Sequence, residues 1–260
     1  MSEMKKRAEA FRALHVAGRP VVLFNIWDPG SAKAVTAAGA SAIATGSWSV
    51  AAANGFSDGE HIPLNLAIEN LTRIVGATAL PVTVDMESGY GKTAAEVGQS
   101  IGRTIEAGAI GCNLEDSFPE SGKLREASEQ TQRIRQVRLV ADAAGIRYFI
   151  NARTDVFFQK PPQQHDESML REAIDRARAY ADAGADGIFA PGLIDPALIA
   201  RLAAAAPLPL NILVEENSPS IEVLAQAGVA RVSHGPGPYL EVMKMLEQRA
   251  RAVMGGRAGQ

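Results

Sequence analysis

The sequence predicts a (β/α)8 barrel of the TIM type with an extra N-terminal helix, as a single domain over residues 1–260. Three observations carry this reading. Glycines recur as punctuation in AAGAS, EAGAIG, DAAGIR, DAGADG and QAGVAR, each after an Ala-rich amphipathic run and before a short apolar one. Glycine just past a helix is a stop signal, because it accepts a left-handed backbone at no Cβ cost. The apolar runs are nearly continuous, as strands covered on both faces are. There are eight of them, and eight βα units in a chain of this length fit a closed barrel better than an open sheet.

In order, residues 2–17 read as an amphipathic helix that would plug or cap the barrel bottom. The first strand, VVLFN at 21–25, leads to helix 30–38, and the second, AIATGS at 42–47, to helix 64–77. PVTVDME at 81–87 precedes helix 93–107, IGCNLED at 110–116 precedes 129–144, and YFINART at 148–154 precedes 168–183. GIFAPG at 187–192, PLNILV at 209–214 and VARVSH at 229–234 lead to helices 196–205, 219–227 and 239–254. An open dinucleotide-binding sheet would need G-x-G-x-x-G after the first strand, and NIWDPGSAKA does not supply it. The Pro-rich segment 159–168 reads as a surface loop, since the alternation resumes after it.

Composition narrows the function. Of 260 residues, 47% are hydrophobic, enough for a buried core. Lys and Arg number 26 against 29 Asp and Glu, a net charge of −3 with the basic residues scattered, so neither nucleic acid nor a membrane is an expected partner. The single cysteine, Cys112, excludes an internal disulfide framework and a Cys-based zinc cluster. The N-terminus lacks an apolar signal region, and no run approaches the ~18 apolar residues that span a bilayer, so a cytoplasmic location is expected.

Barrel active sites lie at the C-terminal strand ends, and the polar residues gather there. These are Asn25 and Asp28; Thr45, Gly46 and Ser47; Asp85 and Glu87; Asn113, Glu115 and Asp116; Asn151, Arg153 and Asp155; Asn211; and Ser233 with His234. A carboxylate ending a buried strand is costly unless paired or bound to a cation. Several carboxylates against one arginine call for a metal, and oxygen ligands suit Mg²⁺, with Mn²⁺ an acceptable substitute. Asp85 and Glu115 are the expected direct ligands, with Glu87 and Asp58 acting through water or behind them. Zinc is disfavoured, since Cys112 alternates away from Glu115 and no His pair has ligand spacing.

The segments VTVDMESGYG (82–91), GCNLEDSFP (111–119) and INARTD (150–155) resemble the isocitrate lyase/phosphoenolpyruvate mutase superfamily. The segment TGSWSVAAANGFSDG (45–59) sits where that family has its substrate loop and aspartate, and the likeness runs from NIWDPGSA to RVSHGPG. The resemblance implies Asp85, Glu87 and Glu115 as metal-site carboxylates and Asp58 as the loop aspartate near the metal. It implies Gly46 and Ser47 as the carboxylate-holding turn beside Thr45, Arg153 as the partner of a substrate anion, and Asn211 and Ser233 as further polar contacts. It also implies a last helix exchanged between subunits, here 239–254, giving a homodimer or homotetramer.

The chain departs from the family in the loop after strand four and at the end of strand six. The loop after Glu115, DSFPESGKLREASEQ, holds neither the lyase cysteine nor its histidine; Cys112 reads as a small core residue, and Lys123 is the candidate lid group. Strand six ends in FAPG, with no glutamate or histidine, so His234 is the candidate replacement acid/base. Trp48 is a candidate pocket wall.

The expected function is Mg²⁺-dependent cleavage of a C–C bond in a small 2-oxo or 2-hydroxy di- or tricarboxylate through a metal-stabilised enolate. A methylisocitrate lyase-like or oxaloacetate-cleaving lyase or hydrolase would do this. The alternatives are a P–C bond enzyme, such as a phosphoenolpyruvate mutase or phosphonopyruvate hydrolase, and a non-catalytic barrel that binds metal and carboxylate.

Overall fold

The computed structural model describes residues 3–255. The eight strands are β1 (Val21–Leu23), β2 (Ile43–Ala44), β3 (Val82–Asp85), β4 (Gly111–Glu115), β5 (Phe149–Arg153), β6 (Gly187–Phe189), β7 (Leu210–Leu213) and β8 (Arg231–Ser233). They form one sheet in the order β1-β8-β7-β6-β5-β4-β3-β2, and every pairing is parallel. The remaining seam is closed by a parallel bridge between Ile26 and Thr45. The result is a nearly closed (β/α)8 barrel.

Around it lie α1 (Glu3–Ala13), α2 (Pro29–Ala37), α3 (Ser47–Ala53), α4 (Leu64–Gly76) and α5 (Ala94–Glu106). They are followed by α6 (Ala127–Ala143), α7 (Glu167–Asp182), α8 (Pro196–Ala205), α9 (Ile221–Gln226) and α10 (Gly237–Gly255). The glycine stops behave as read: Gly39, Gly108, Gly145, Gly184 and Gly228 all have φ between +68° and +103°. Helix starts carry their own chemistry. Asp28 and Thr93 build capping boxes with Ser31 and Glu96, so two orphan N–H groups are satisfied at each start.

Two features differ from the sequence reading. The stretch after β2, expected as a substrate loop, opens with the short helix α3, whose seven residues are too few to show a helical period. The N-terminal helix stops at Ala13, because Val16 and Arg19 pair in a turn instead. Ser2, where that helix was expected to begin, lies outside the described residues. Among the described residues no helix is long and apolar enough to cross a membrane.

The helix α1 closes the barrel bottom. Ala8 and Phe11 are fully buried against Val21, Leu23, Ala42, Ala44, Ile110 and Phe149. Each large apolar side chain so buried stabilises the fold by roughly 1.5–3 kcal/mol. The larger core lies between the sheet and the helices, and Cys112 sits in it fully buried, its thiol pushed up to about 12 by burial. At the other end Asp116 is a structural hub. Its carboxylate accepts from Tyr180 Oη (2.7 Å), Arg176 Nη1 (3.1 Å) and the Asp155 N–H (2.9 Å). The loops after β4 and β5 are thereby tied to α7, beside the place where the candidate site lies.

Candidate active site

A cavity of about 190 Å³ opens at the C-terminal strand ends. Its polar lining is Asn25, Ser47, Asp58, Asp85, Asn113, Arg153, Glu215 and Ser233, and its apolar wall is Trp48, Phe158, Phe189, Pro191, Leu213 and Pro236. Of the residues expected from sequence, Gly46, Ser47, Trp48, Asp58, Asp85, Arg153 and Ser233 meet here.

Asp85 ends β3 and is held from one side. Ser47 donates to its Oδ2 from both the backbone N–H (3.2 Å) and Oγ (3.0 Å), while Thr45 Oγ1 accepts the Asp85 N–H (2.9 Å). The other oxygen, Oδ1, is buried and has no hydrogen-bond partner among the described residues. A bare buried carboxylate oxygen is costly. Asp58 lies close enough to feel it: burial first, then the Asp85 charge, raise the Asp58 pKa, with Arg153 and Ser47 opposing.

Arg153 is firmly charged, because Glu115 and Asp155 outweigh the burial that works against it. Its Nη1 lies 2.7 Å from Glu115 Oε2, and its Nε and Nη2 donate to Asp155 at 2.6 and 3.1 Å. Glu115 is itself pushed well upward by burial, with Arg153 pulling the other way.

The three carboxylates expected as metal ligands are therefore not gathered into one group. Among the described residues no cluster of three or more His, Cys, Asp and Glu is arranged to hold a metal. Glu115 is committed to Arg153. Glu87 is committed to the loop above it, accepting the N–H groups of Gly59 (2.8 Å) and Glu60 (2.7 Å) and the Tyr90 hydroxyl (3.2 Å). Glu87 has φ +50°, and this left-handed turn swings its side chain out of the strand's alternation. Burial and the charges of Asp58 and Asp85 push its carboxyl up to about 8. What remains for a cation is Asp85 Oδ1, beside Asp58. That donor set fits Mg²⁺, which needs only one or two protein carboxylates and completes its shell with water and substrate.

Four more expected residues lie elsewhere. Thr45 is buried behind Asp85. Asn211 is buried one layer down, bonded with Ser233 at 3.2 and 3.3 Å. Lys123 sits exposed in the turn that its own carbonyl closes with the Phe118 N–H (2.9 Å). The His234 ring packs on Phe24, centroids 5.2 Å apart, and does not line the cavity. The Gly46 N–H donates to Ile26 O (3.1 Å), so both N–H groups of the expected carboxylate turn already have partners.

Sequence reasoning placed Asn25 and Asn113 at the strand ends without giving them a role, and it left out Glu215 and the two phenylalanines. Asn113 was legible, since it stands two residues before Glu115 and shares its face of β4. Asn25 joins the seam, donating to Thr45 O (2.9 Å) and accepting from the His234 and Gly235 N–H groups (2.9 Å each). Glu215 and Phe158 come from loops with no periodic signal.

The chain is similar to known proteins over most of its length. A candidate phosphonomutase from Burkholderia cenocepacia J2315 has a solved structure 56% identical to the chain, with TM-score 0.93 and 97% and 99% of the two chains covered. The 2-methylisocitrate lyase of Salmonella typhimurium is 29% identical over 80% of this chain and 70% of its own. The oxaloacetate decarboxylase of Ectopseudomonas mendocina is 29% identical over 90% and 80%. With the family model for phosphoenolpyruvate phosphomutase matching residues 11–254, nearly the whole barrel from α1 through α10, the chain belongs to that family.

Proposed function

We propose that the chain is a Mg²⁺-dependent enzyme that cleaves a C–C bond in a small 2-oxo or 2-hydroxy di- or tricarboxylate. The lyase and decarboxylase relatives support the reaction class. The observation that carries the reading is Asp85 Oδ1, buried without a partner among the described residues at the end of β3, with Asp58 lining the same cavity. Asp85, with Asp58 behind it, would hold Mg²⁺, which supplies electrophilic charge to the substrate's carbonyl end when bound.

The chain's own residues do the rest. Ser47 holds Asp85 Oδ2 with two hydrogen bonds and leaves Oδ1 uncommitted. Arg153 offers fixed positive charge to the substrate anion, its orientation set by Glu115 and Asp155 on either side. Asp58 stands at the mouth, where strand six offers only Pro191 and Gly192. The apolar wall excludes water from the reacting bond. In the same reading the functional unit is a homodimer or homotetramer built by exchange of α10.

Isothermal titration with oxalate, an enolate mimic, tests the site. Binding should require Mg²⁺ and disappear in Asp85→Ala; binding indifferent to the metal rejects the reading.

A second reading is P–C bond chemistry, favoured by the 56% identity to the candidate phosphonomutase and by the loop at Phe118 and Pro119, which lacks the lyase cysteine. ³¹P NMR with phosphonopyruvate decides it, and an unchanged spectrum rejects it.

A further inference from the structure

We propose that Asn113 presents its side-chain amide N–H₂ to a substrate oxygen in the cavity, and that Arg231, buried beneath it, is the positioning residue that fixes this orientation. The inference rests on the 2-oxo acid reading of the same site.

An asparagine amide can in principle face either way, and its partners decide which. Here Asn113 Oδ1 accepts two bonds, from Asn151 Nδ2 (2.9 Å) and from Arg231 Nη2 (3.1 Å). A guanidinium has no acceptor, so the atom facing it must be the oxygen. The amide nitrogen is thereby turned toward the cavity that Asn113 lines. Most other donors at that wall are already used: Asn25 Nδ2 on Thr45 O, the Ser47 hydroxyl on Asp85, and the Ser233 hydroxyl on Asn211.

The surroundings are built for this network. Gly187 on β6 leaves room for Asn151, since a Cβ there would lie 2.8 Å from Asn151 Oδ1. Arg231 is fully buried, with Nε and Nη1 unpartnered among the described residues. An apolar side chain would fill that place without the cost of a buried unpaired charge. The third guanidinium nitrogen, Nη2, donates to Asn113, which is the bond this buried cation makes to the cavity wall.

The test uses Mg²⁺ with oxalate as the probe, in titrations of the full chain. Asn113→Leu should weaken oxalate binding about tenfold, the loss expected for one buried hydrogen bond to a charged group. Asn113→Asp keeps the acceptor for Arg231 and removes the donors; it should unfold at the wild-type urea midpoint or above it, yet bind oxalate at least tenfold more weakly. Arg231→Met should weaken binding about fivefold in the wild-type background and have no further effect in Asn113→Leu. A merely structural role for Arg231 would not produce that non-additivity. If the wild-type chain binds no oxalate, the underlying reading falls and this one with it. If the wild type binds and both Asn113 variants bind within twofold of it, only the Asn113 assignment falls. An Arg231→Met loss that persists in Asn113→Leu overturns the positioning role.

Discussion

Arg153 and Glu115 face each other from paired positions of β5 and β4, with Nη1 2.7 Å from Oε2. Asp155 holds the other side of the same guanidinium, so the two partners are not equivalent. Removing Arg153 leaves two buried carboxylates without their cation, whereas removing Glu115 leaves Arg153 still paired. Arg153→Met should therefore cost about 3–5 kcal/mol of stability and Glu115→Gln about 1–2 kcal/mol. The double variant should cost less than the two effects added. Urea unfolding measures all three, and equal costs for the single variants would contradict this asymmetry.

Ser47 grips Asp85 Oδ2 with both its N–H and its hydroxyl. Ser47→Ala removes one of the two bonds and leaves the backbone bond. Oxalate affinity in the presence of Mg²⁺ should fall about tenfold, as one charge-assisted hydrogen bond implies. The urea midpoint should barely move, because Ser47 opens a short surface helix.

Glu87 and Glu60 clasp each other's backbone. Glu87 accepts the Gly59 and Glu60 N–H groups, while Glu60 Oε1 accepts the Ser88 hydroxyl (2.7 Å) and the Tyr90 N–H (2.9 Å). Three non-glycine residues here, Glu60, Glu87 and Tyr90, sit at positive φ, a strain the clasp must hold. Glu87→Ala should speed amide exchange at Gly59 and Glu60 by roughly 10–100-fold, while exchange in β4 and β5 stays slow. Unchanged exchange at both amides would show that the loop is held by something else.

That clasp marks the limit of what the sequence discloses. The order of strands and helices was legible because the glycine stops and apolar runs are local signals, each spelled out in a few residues. Asp85, Ser47 and Arg153 were legible because a strand end has one direction and the barrel mouth collects them. Glu87 was not, because the turn that rotates it is set by contacts with a loop 27 residues away in the chain. Glu115 illustrates a different limit. Its place on β4 follows from alternation, but its choice of Arg153 over a cation depends on distances no spacing encodes. His234 follows alternation as well, which turns it outward onto Phe24 while Ser233 faces the cavity.

His15 gives a pH signature. Its ring stacks on Phe149 (4.1 Å between centroids) and its Nδ1 lies 2.9 Å from Phe11 O. Burial, and then the nearby Arg231 charge, lower its pKa from the usual value to about 3. The folded state thus keeps His15 neutral where the unfolded chain takes up a proton. The sign follows: this contribution is intact above pH ~6.5 and is lost as the pH falls toward 3. His15→Leu should lose less stability than wild type between pH 7 and 4, measured as urea midpoints. Parallel pH curves for the two proteins would remove His15 as a cause.

The last prediction concerns assembly. Val22 on β1 and Phe24 just after it are 38% and 42% exposed, beside an apolar groove also lined by Leu14, Val35 and Ala38. The helix α10, which follows β8 next to β1, covers none of it: Pro238 is the helix's buried residue, while Leu240, Met245, Leu246 and Val253 are exposed. Val242, Leu246 and Val253 recur at helical spacing, so one face of α10 is apolar; Tyr239 at its start packs on Trp27 and Trp48, and the rest of that face is exposed. The exposed apolar side chains of the two elements are therefore available to pack against one another. Exchange of α10 between neighbours, as the family resemblance implies, would bury both. Light scattering after size exclusion should give two or four times the chain mass. Replacing Met245 and Leu246 with Asp should shift the protein to a monomer that keeps most of its far-ultraviolet circular dichroism. A wild-type monomer at micromolar concentration would overturn the exchange, since α10 would then stand exposed in solution with nothing to bury its apolar face.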